Sequence, residues 1–170
     1  MSLPALLLAL ASLAPAGPGL ATDAFPAEAT APTQFYTELD DADFILESTV
    51  AEARASGRYA VIVFGADWCH DSRTLARVLK SPAFEARFGK RFTVAFIDVG
   101  EPKIDKGRNL DLVGRLGVTN LRSTPAMFVL SGKGKWLNTA KDARSWRNAD
   151  KRGEAAILGW FDTFLAAQKR

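Results

Sequence analysis

The chain has 170 residues, which is enough for one domain, or for one domain that follows a removable segment. Hydrophobic residues make up 48% and charged residues 24%, close to globular averages, and this excludes a wholly disordered or fibrous protein. The net charge is only +3 and no run of five basic residues occurs, so we do not expect nucleic-acid binding.

The first segment has the pattern of an export signal. Residues 3–13 form an apolar run about as long as a signal-peptide core and too short to cross a bilayer as a helix. No charged residue occurs in residues 1–21, and Gly19 and Ala21 are small residues spaced as at a cleavage site. We therefore expect a signal peptide over 1–21, a periplasmic or secreted mature protein, and no membrane insertion after cleavage. An uncleaved N-terminal anchor is the alternative.

A linker and then a folded domain are expected to follow. Residues 22–36 are rich in Ala, Thr and Pro, which predicts a flexible linker over 22–40 and places the domain at 41–170. A loosely docked arm, in which Phe25, Phe35 and Tyr36 pack on the domain, is the alternative. A helix is predicted over 42–56, since an Asp precedes it and a Gly follows it. The continuous β-branched and aromatic run at 59–65 predicts a strand that is buried on both faces of an α/β sheet.

The remaining elements follow from the same kinds of signal. Ser81 and Pro82 are typical of a helix start. The elements predicted after residue 65 are, in order, a helix over 73–80, a helix from Ser81, a buried strand over 91–99, a polar loop over 100–108, a short helix around 110–116, a strand after Pro125, a Gly-bearing turn and an edge strand. The last two strands are expected to form an antiparallel hairpin.

The end of the chain is first polar and then amphipathic. Residues 138–152 are polar and basic, and a solvated loop is expected there. In the alternative interpretation, Arg144, Trp146 and Arg147 line a ligand groove. Residues 154–170 carry apolar side chains at helical spacing, which predicts a final amphipathic helix.

The residues with candidate chemistry lie between the first strand and the next helix, at Trp68, Cys69, His70, Asp71 and Ser72. A Cys in the first turn of a helix is close to unpaired backbone N–H groups and to the positive end of the helix dipole, which favour the thiolate. The thiolate is the nucleophile in disulfide exchange, so Cys69 is the candidate nucleophile, with a buried and inert Cys as the alternative. Since the chain has one Cys and one His, we expect no internal disulfide and no metal site.

The surroundings of Cys69 resemble the thioredoxin superfamily. VIVFGADWCHDS is similar to the family's strand followed by W-C-x-x-C, FIDV to its next strand, and GVTNLRSTPAMFVL to the segment with its cis-proline, here Pro125. The resemblance is closest to thioredoxin-like domains of periplasmic thiol:disulfide interchange proteins. It implies an α/β, thioredoxin-like fold with a central mixed sheet flanked by helices and a cis-proline loop beside Cys69. It also implies that Thr124 and Pro125 bind the substrate.

Two departures from the family pattern affect the expected mechanism. Ser72 replaces the second Cys of the motif, and Val63 stands where thioredoxins have a buried acid that serves the second thiol. We therefore expect a monothiol protein without a cofactor, with protein disulfides or small-molecule thiols as partners. Cys69 would attack a protein disulfide, a sulfenic acid or a small-molecule disulfide and form a mixed disulfide. An external thiol or a membrane-linked reductant would resolve it. A redox-inactive binding or chaperone-like module is the alternative; glutathione-assisted iron–sulfur binding is opposed by export and by the absence of a small-residue loop.

The neighbours of Cys69 have separate expected roles. The resemblance implies that Trp68 borders the active site and that Ser72 donates a hydrogen bond to the thiolate. A cationic His70 would favour the thiolate, whereas Asp67 and Asp71 would oppose it if they lie close. In the simpler interpretations, His70 is a surface residue and Asp71 is a favourable residue in the first turn of a helix.

Overall fold

The computed structural model describes residues 34–169. The predicted signal peptide, 1–21, lies outside the described residues, as does the predicted linker up to residue 33. No helix among the residues described is both long and apolar enough to span a bilayer.

Six helices and five strands make up the described chain, with two short 3-10 turns. The helices are α1 (Ala42–Ser56), α2 (His70–Leu79), α3 (Pro82–Phe88), α4 (Leu110–Arg115), α5 (Ala140–Arg144) and α6 (Ala149–Ala167). The strands are β1 (Tyr59–Gly65), β2 (Phe92–Asp98), β3 (Gly100–Glu101), β4 (Lys106–Gly107) and β5 (Ala126–Leu130). The 3-10 turns are Pro102–Ile104 and Ser145–Asn148.

The helix starts and ends follow local sequence signals. Asp41 caps α1 by accepting a hydrogen bond from the Phe44 N–H, and Ser81 caps α3 in the same way through Phe84. Gly57 ends α1 in the left-handed conformation that favours glycine. The predicted helix over 42–56 and the helix start at Ser81 are confirmed.

The main sheet has the strand order β2-β1-β5 and is mixed. β1 is parallel to β2 and antiparallel to β5. Alternate side chains of β1 enter two separate cores: Val61 and Val63 face α2, α3 and α6, whereas Ile62 and Phe64 face α1 and α4. The predicted mixed sheet flanked by helices, with a central strand buried on both faces, is confirmed.

The predicted hairpin after the cis-proline segment forms only in part. Leu130 and Trp136 form an antiparallel bridge, Leu137 N donates to Val129 O, and Ser131 N donates to Lys135 O, both at 2.9 Å, but no regular second strand follows. The side chain of Asn138 extends the pairing, because its Oδ1 accepts from Val129 N at 2.8 Å and its Nδ2 donates to Met127 O at 3.0 Å. One buried amide thus satisfies edge groups of β5 that a longer partner strand would have covered.

The predicted polar loop over 100–108 contains more order than expected. β3 and β4 pair antiparallel around the 3-10 turn Pro102–Ile104. The loop is therefore a small two-stranded hairpin that follows the end of β2.

The predicted solvated loop over 138–152 is also wrong. α5, a 3-10 turn and the first turn of α6 occupy this segment, and Trp146 is fully buried. The Trp146 ring packs edge-on against Trp160, with 5.2 Å between centroids, and the Arg152 guanidinium lies 4.4 Å from its centroid. Burial of this large ring explains why a segment of polar composition is ordered.

The folded domain begins before residue 41. Tyr36 is only 2% exposed, and its ring packs edge-on against Phe96 at a centroid distance of 5.5 Å. The alternative interpretation, an arm that packs on the domain through Phe35 and Tyr36, is therefore confirmed for these two residues, and the flexible linker predicted to residue 40 is too long. We call residues 34–40 the N-terminal arm.

Candidate functional site

Cys69 lies at the junction between β1 and α2. It is the N-cap of α2, with extended backbone, and its N–H donates to Ala66 O at 3.0 Å. The Arg73 N–H donates to the Cys69 carbonyl at 3.1 Å and so begins the helical hydrogen bonds. The residue is 9% exposed. Its position at the helix N-terminus agrees with the sequence prediction.

The loop before β5 is in contact with Cys69. The Thr124–Pro125 peptide bond is cis, the geometry expected from the sequence. The Cys69 Sγ–H donates to the Thr124 carbonyl at 3.5 Å. Cys69, Thr124 and Pro125 are thus brought together although 55 residues separate the first two.

Two buried hydroxyls belong to the same region. Ser72 and Thr124 are both buried, and neither Ser72 Oγ nor Thr124 Oγ1 has a hydrogen-bond partner among the described residues. A buried hydroxyl without a partner costs about 1–3 kcal/mol of stability. The hydroxyl of Ser72 therefore makes no hydrogen bond that stabilises the described fold.

His70 and Asp71 face the last helix. Asp71 Oδ1 accepts from the Asp150 N–H at 3.0 Å, and His70 Nδ1 lies 3.6 Å from Asp150 Oδ2. Both side chains therefore hold the start of α2 against the start of α6. Asp71 does more than favour its own helix, because its carboxylate satisfies a free N–H in the first turn of α6.

Trp68 is the exposed border of the site. Its side chain is 55% exposed, which is unusual for so large an apolar group. Its Nε1–H donates to Gly100 O at 2.9 Å. One edge of the ring is thus held while much of its surface is available to a partner.

Asp67 holds the N-terminal arm. Its carboxylate accepts hydrogen bonds from the backbone N–H groups of Phe35 and Tyr36, at 3.1–3.2 Å. A hydrogen bond to a charged acceptor contributes about 1.5–3 kcal/mol to the stability of a folded protein. Asp67 therefore has a structural role that the sequence analysis missed.

Tyr36 was missed as a residue of the site. Its hydroxyl donates to the Ser72 carbonyl at 3.3 Å, so the arm reaches the first turn of α2. Its ring packs on Gly65, where a Cβ would lie 2.6 Å from Tyr36 Cζ. Burial raises the pKa of Tyr36 well above 10.0, and the nearby Asp67 adds to this, so the hydroxyl stays neutral. The adjacent aromatic residues 35 and 36, in a segment rich in Ala, Thr and Pro, were the available signal.

A second charged group lies behind Trp68. The buried Asp98 accepts from the Gly100 N–H at 2.9 Å and pairs with Arg108 at 3.1 Å, and Arg108 also pairs with Glu38 of the arm at 2.7 Å. Burial raises the pKa of Asp98, although the Gly100 N–H and Arg108 act in the opposite direction. These contacts position Gly100, whose carbonyl accepts from Trp68.

The position that holds an acid in thioredoxins is apolar here. Val63 is fully buried and lies between Phe96 of β2 and Met127 of β5. The sheet beneath Cys69 therefore offers no proton acceptor at this point. Within residues 34–169, no group of three or more His, Cys, Asp or Glu side chains could hold a metal ion.

Comparisons with known proteins agree with this architecture. A sequence model of the thioredoxin-like family matches residues 43–131, which is more than half of the chain. A crystal structure of a disulfide isomerase from Xylella fastidiosa Temecula1 is 30% identical and superposes with a TM-score of 0.67. The match covers 79% of this chain and 99% of that one. No curated protein is significantly similar to this chain.

Proposed function

Since this chain belongs to the thioredoxin-like family, we propose that it is an exported monothiol protein of thiol–disulfide exchange with Cys69 as its nucleophile. The observation that carries the proposal is the contact of Cys69 Sγ with the Thr124 carbonyl, 3.5 Å away, at the N-terminus of α2. A protein disulfide or a small-molecule disulfide is the substrate. Thr124 and Pro125 are the residues we assign to substrate binding.

The proposed reaction has two exchange steps. The Cys69 thiolate attacks one sulfur of the substrate disulfide, a mixed disulfide with Cys69 forms, and the other substrate sulfur leaves as a thiolate. An external thiolate then attacks the mixed disulfide, takes the bound sulfur into a new disulfide, and releases the Cys69 thiolate. The external thiol has to supply this second step because the chain contains a single Cys and Ser72 stands at the second position of the motif.

The local structure supports this assignment of roles. Unpaired N–H groups at the start of α2 and the helix dipole favour a negative sulfur at its N-cap. The hydroxyl of Ser72 is buried, has no partner within the described fold and lies in the first turn of the same helix. We assign it to hydrogen bonding with the Cys69 thiolate, and we assign the exposed face of Trp68 to contact with the substrate.

Turnover with an external thiol tests the proposal. Purified protein should reduce a disulfide-bonded substrate such as insulin when reduced glutathione is supplied, and it should stop after one equivalent without it. Cys69→Ser should be inactive, and Cys69 should be the modified residue in peptide mass spectra. Turnover in the absence of added thiol, or activity that survives Cys69→Ser, would contradict the mechanism.

We also propose that the mature protein works in the periplasm or outside the cell. The uncharged apolar run before Ala21 supports export, and stable disulfides persist in such oxidising compartments. The mature chain should begin at or near Thr22. Intact-mass measurement on fractionated cells checks this, and a full-length cytoplasmic species would contradict it.

A redox-inactive binding module is the second candidate. The low exposure of Cys69, 9%, and the apolar Val63 beneath the site favour it. In that case the groove beside Pro125 binds an extended partner and the thiol is incidental. Cells that carry Cys69→Ser should then retain full function, whereas loss of function in those cells supports exchange.

A further inference from the structure

Four arginines surround the approach to the cis-proline loop. Arg122 precedes the cis-proline bond in the same loop, Arg144 is the last residue of α5, Arg147 lies in the 3-10 turn Ser145–Asn148, and Arg152 lies in the first turn of α6. One cleft of about 480 Å³ is lined by residues 119–123 with Arg144 and Arg147. A second, of about 460 Å³, adjoins it and has Arg144, Arg147 and Arg152 in its wall. We call these four residues the arginine cluster.

The arginine cluster is held by neutral groups. Arg144 Nη2 donates to Thr119 O at 3.1 Å, and Arg147 Nε donates to the Arg144 carbonyl at 3.0 Å. Arg152 stacks on the Trp146 ring and donates to the Ser145 carbonyl at 3.0 Å. The charges are therefore positioned by backbone and aromatic contacts and are not neutralised by them.

The cluster has no acidic partner within residues 34–169. The six ion pairs found there involve other cations, among them Arg87, Arg108 and Arg115. The nearest acids along the chain are Asp142 on α5 and Asp150, whose carboxylate faces His70. Each guanidinium has five N–H donors, and its fork fits a carboxylate with two parallel hydrogen bonds. Most of this donor capacity remains available to a ligand.

The cluster is linked to the reacting sulfur through the loop that leads to the cis-proline bond, because the first cleft is lined by residues 119–123. Arg122 is two residues before Thr124, whose carbonyl contacts Cys69 Sγ at 3.5 Å. An extended chain advances about 3.3–3.6 Å per residue. A polypeptide held at the cis-proline loop would therefore bring side chains a few residues from its disulfide to the arginines.

We propose that the arginine cluster selects substrate polypeptides that carry Asp or Glu residues close to the reactive disulfide, whose carboxylates bind Arg122, Arg144 and Arg147 while Cys69 attacks. The inference rests on the proposed exchange function. A polypeptide fits better than a small disulfide because the two adjoining clefts extend from residues 119–123, just before the cis-proline bond, to Arg152 at the start of α6. The positive field would also increase the rate of encounter with acidic substrates.

Matched synthetic peptides test the proposal. Three peptides of equal length carry one cysteine as a mixed disulfide with 2-thiopyridine, and the flanking residues are acidic, neutral or basic. Attack by Cys69 forms the bond to the peptide sulfur and releases pyridine-2-thione, whose absorbance gives the rate. We expect the acidic peptide to react about tenfold faster than the neutral one at low salt, which corresponds to about 1.4 kcal/mol. The advantage should fall as ionic strength rises.

Variants separate charge from structure. Arg144→Gln with Arg147→Gln should remove most of the acidic advantage, measured as the ratio of the acidic-peptide rate to the neutral-peptide rate in the same variant. The same two positions changed to Lys keep the charge and should keep most of the advantage. Arg91→Gln, which removes an exposed arginine just before β2, is the matched control and should change neither rate.

The possible outcomes are distinct. Equal rates for acidic, neutral and basic peptides would overturn the selectivity while leaving the exchange function intact. If the mixed disulfide of glutathione with 2-thiopyridine reacts as fast as the acidic peptide, relative to the neutral peptide, the cluster binds small anions and the assignment to polypeptides is wrong. No reaction of Cys69 with any peptide overturns both proposals. Should the double variant not fold, the salt dependence of the wild-type preference still decides the question.

Discussion

Wild-type protein mixed with a disulfide substrate should accumulate a mixed disulfide on Cys69 that persists until a thiol is added. Formation of the adduct requires only the thiolate and access to it. Release requires a second thiolate: an external thiol attacks the substrate sulfur and frees the Cys69 thiolate, whereas a thiol within the motif would attack the Cys69 sulfur and free the substrate. Ser72 cannot supply one, because a serine hydroxyl is far too weak an acid to ionise near neutral pH. Intact-mass spectrometry after removal of excess substrate gives the lifetime directly.

Ser72→Cys should shorten the adduct lifetime by about tenfold or more, since an intramolecular thiol acts at an effective concentration of millimolar order. The gain is limited, because Val63 places no proton acceptor beneath the new thiol. Ser72→Ala is the matched control: it removes a buried hydroxyl that has no partner in the described fold, so it should fold normally and leave the adduct long-lived. An unchanged lifetime in Ser72→Cys would contradict the monothiol mechanism.

Tyr36→Ala should lower the free energy of unfolding by about 3–5 kcal/mol, the range for loss of a buried aromatic ring. The ring is 2% exposed and packs on Gly65 and Phe96. Tyr36→Phe removes only the hydrogen bond to the Ser72 carbonyl and should cost about 1 kcal/mol. Urea unfolding curves measure both changes.

The packing of Tyr36 on Gly65 also predicts non-additivity. Gly65→Ala alone should destabilise the fold, since its Cβ would lie 2.6 Å from the Tyr36 ring. In the double variant with Tyr36→Ala, that Cβ has free space. The double variant should therefore lose less free energy of unfolding than the sum of the losses in the two single variants. Phe44→Ala is the control, because Phe44 is 67% exposed and its loss should change stability by about 0.5 kcal/mol or less. Equal effects of Tyr36→Ala and Phe44→Ala would mean that the arm does not stabilise the domain.

The sequence by itself determined the order of the main elements and the position of Cys69. Asp41, Gly57 and Ser81 act on backbone groups within a few residues of themselves, so their caps could be predicted from local pattern. The β-branched run of β1 predicted a doubly buried strand for the same reason, because burial on both faces leaves no polar position along the run.

Local pattern failed where a single side chain changed the outcome. The edge strand predicted after β5 is reduced to one bridge, which the amide of Asn138 supplements, and one tryptophan in the polar segment around residue 146 is fully buried. Composition is an average over a segment, but a single buried ring or a side-chain amide with two backbone partners is enough to order that segment. The composition of residues 22–36 likewise predicted a linker, whereas Tyr36 anchors the end of that segment on the domain.

The resemblance predicted that Thr124 and Pro125 lie beside Cys69, but only the tertiary structure decided the partners of the charged side chains near this part of the fold. Asp67 bonds to the arm 31–32 residues earlier, Asp71 to a backbone N–H 79 residues later, and Arg144 to a loop 25 residues before it. Each charged side chain has many acceptable partners along the chain, and its own neighbours in sequence do not select among them. The selection comes from how the helices and the arm pack on the sheet, which brings distant segments within hydrogen-bond distance of one another.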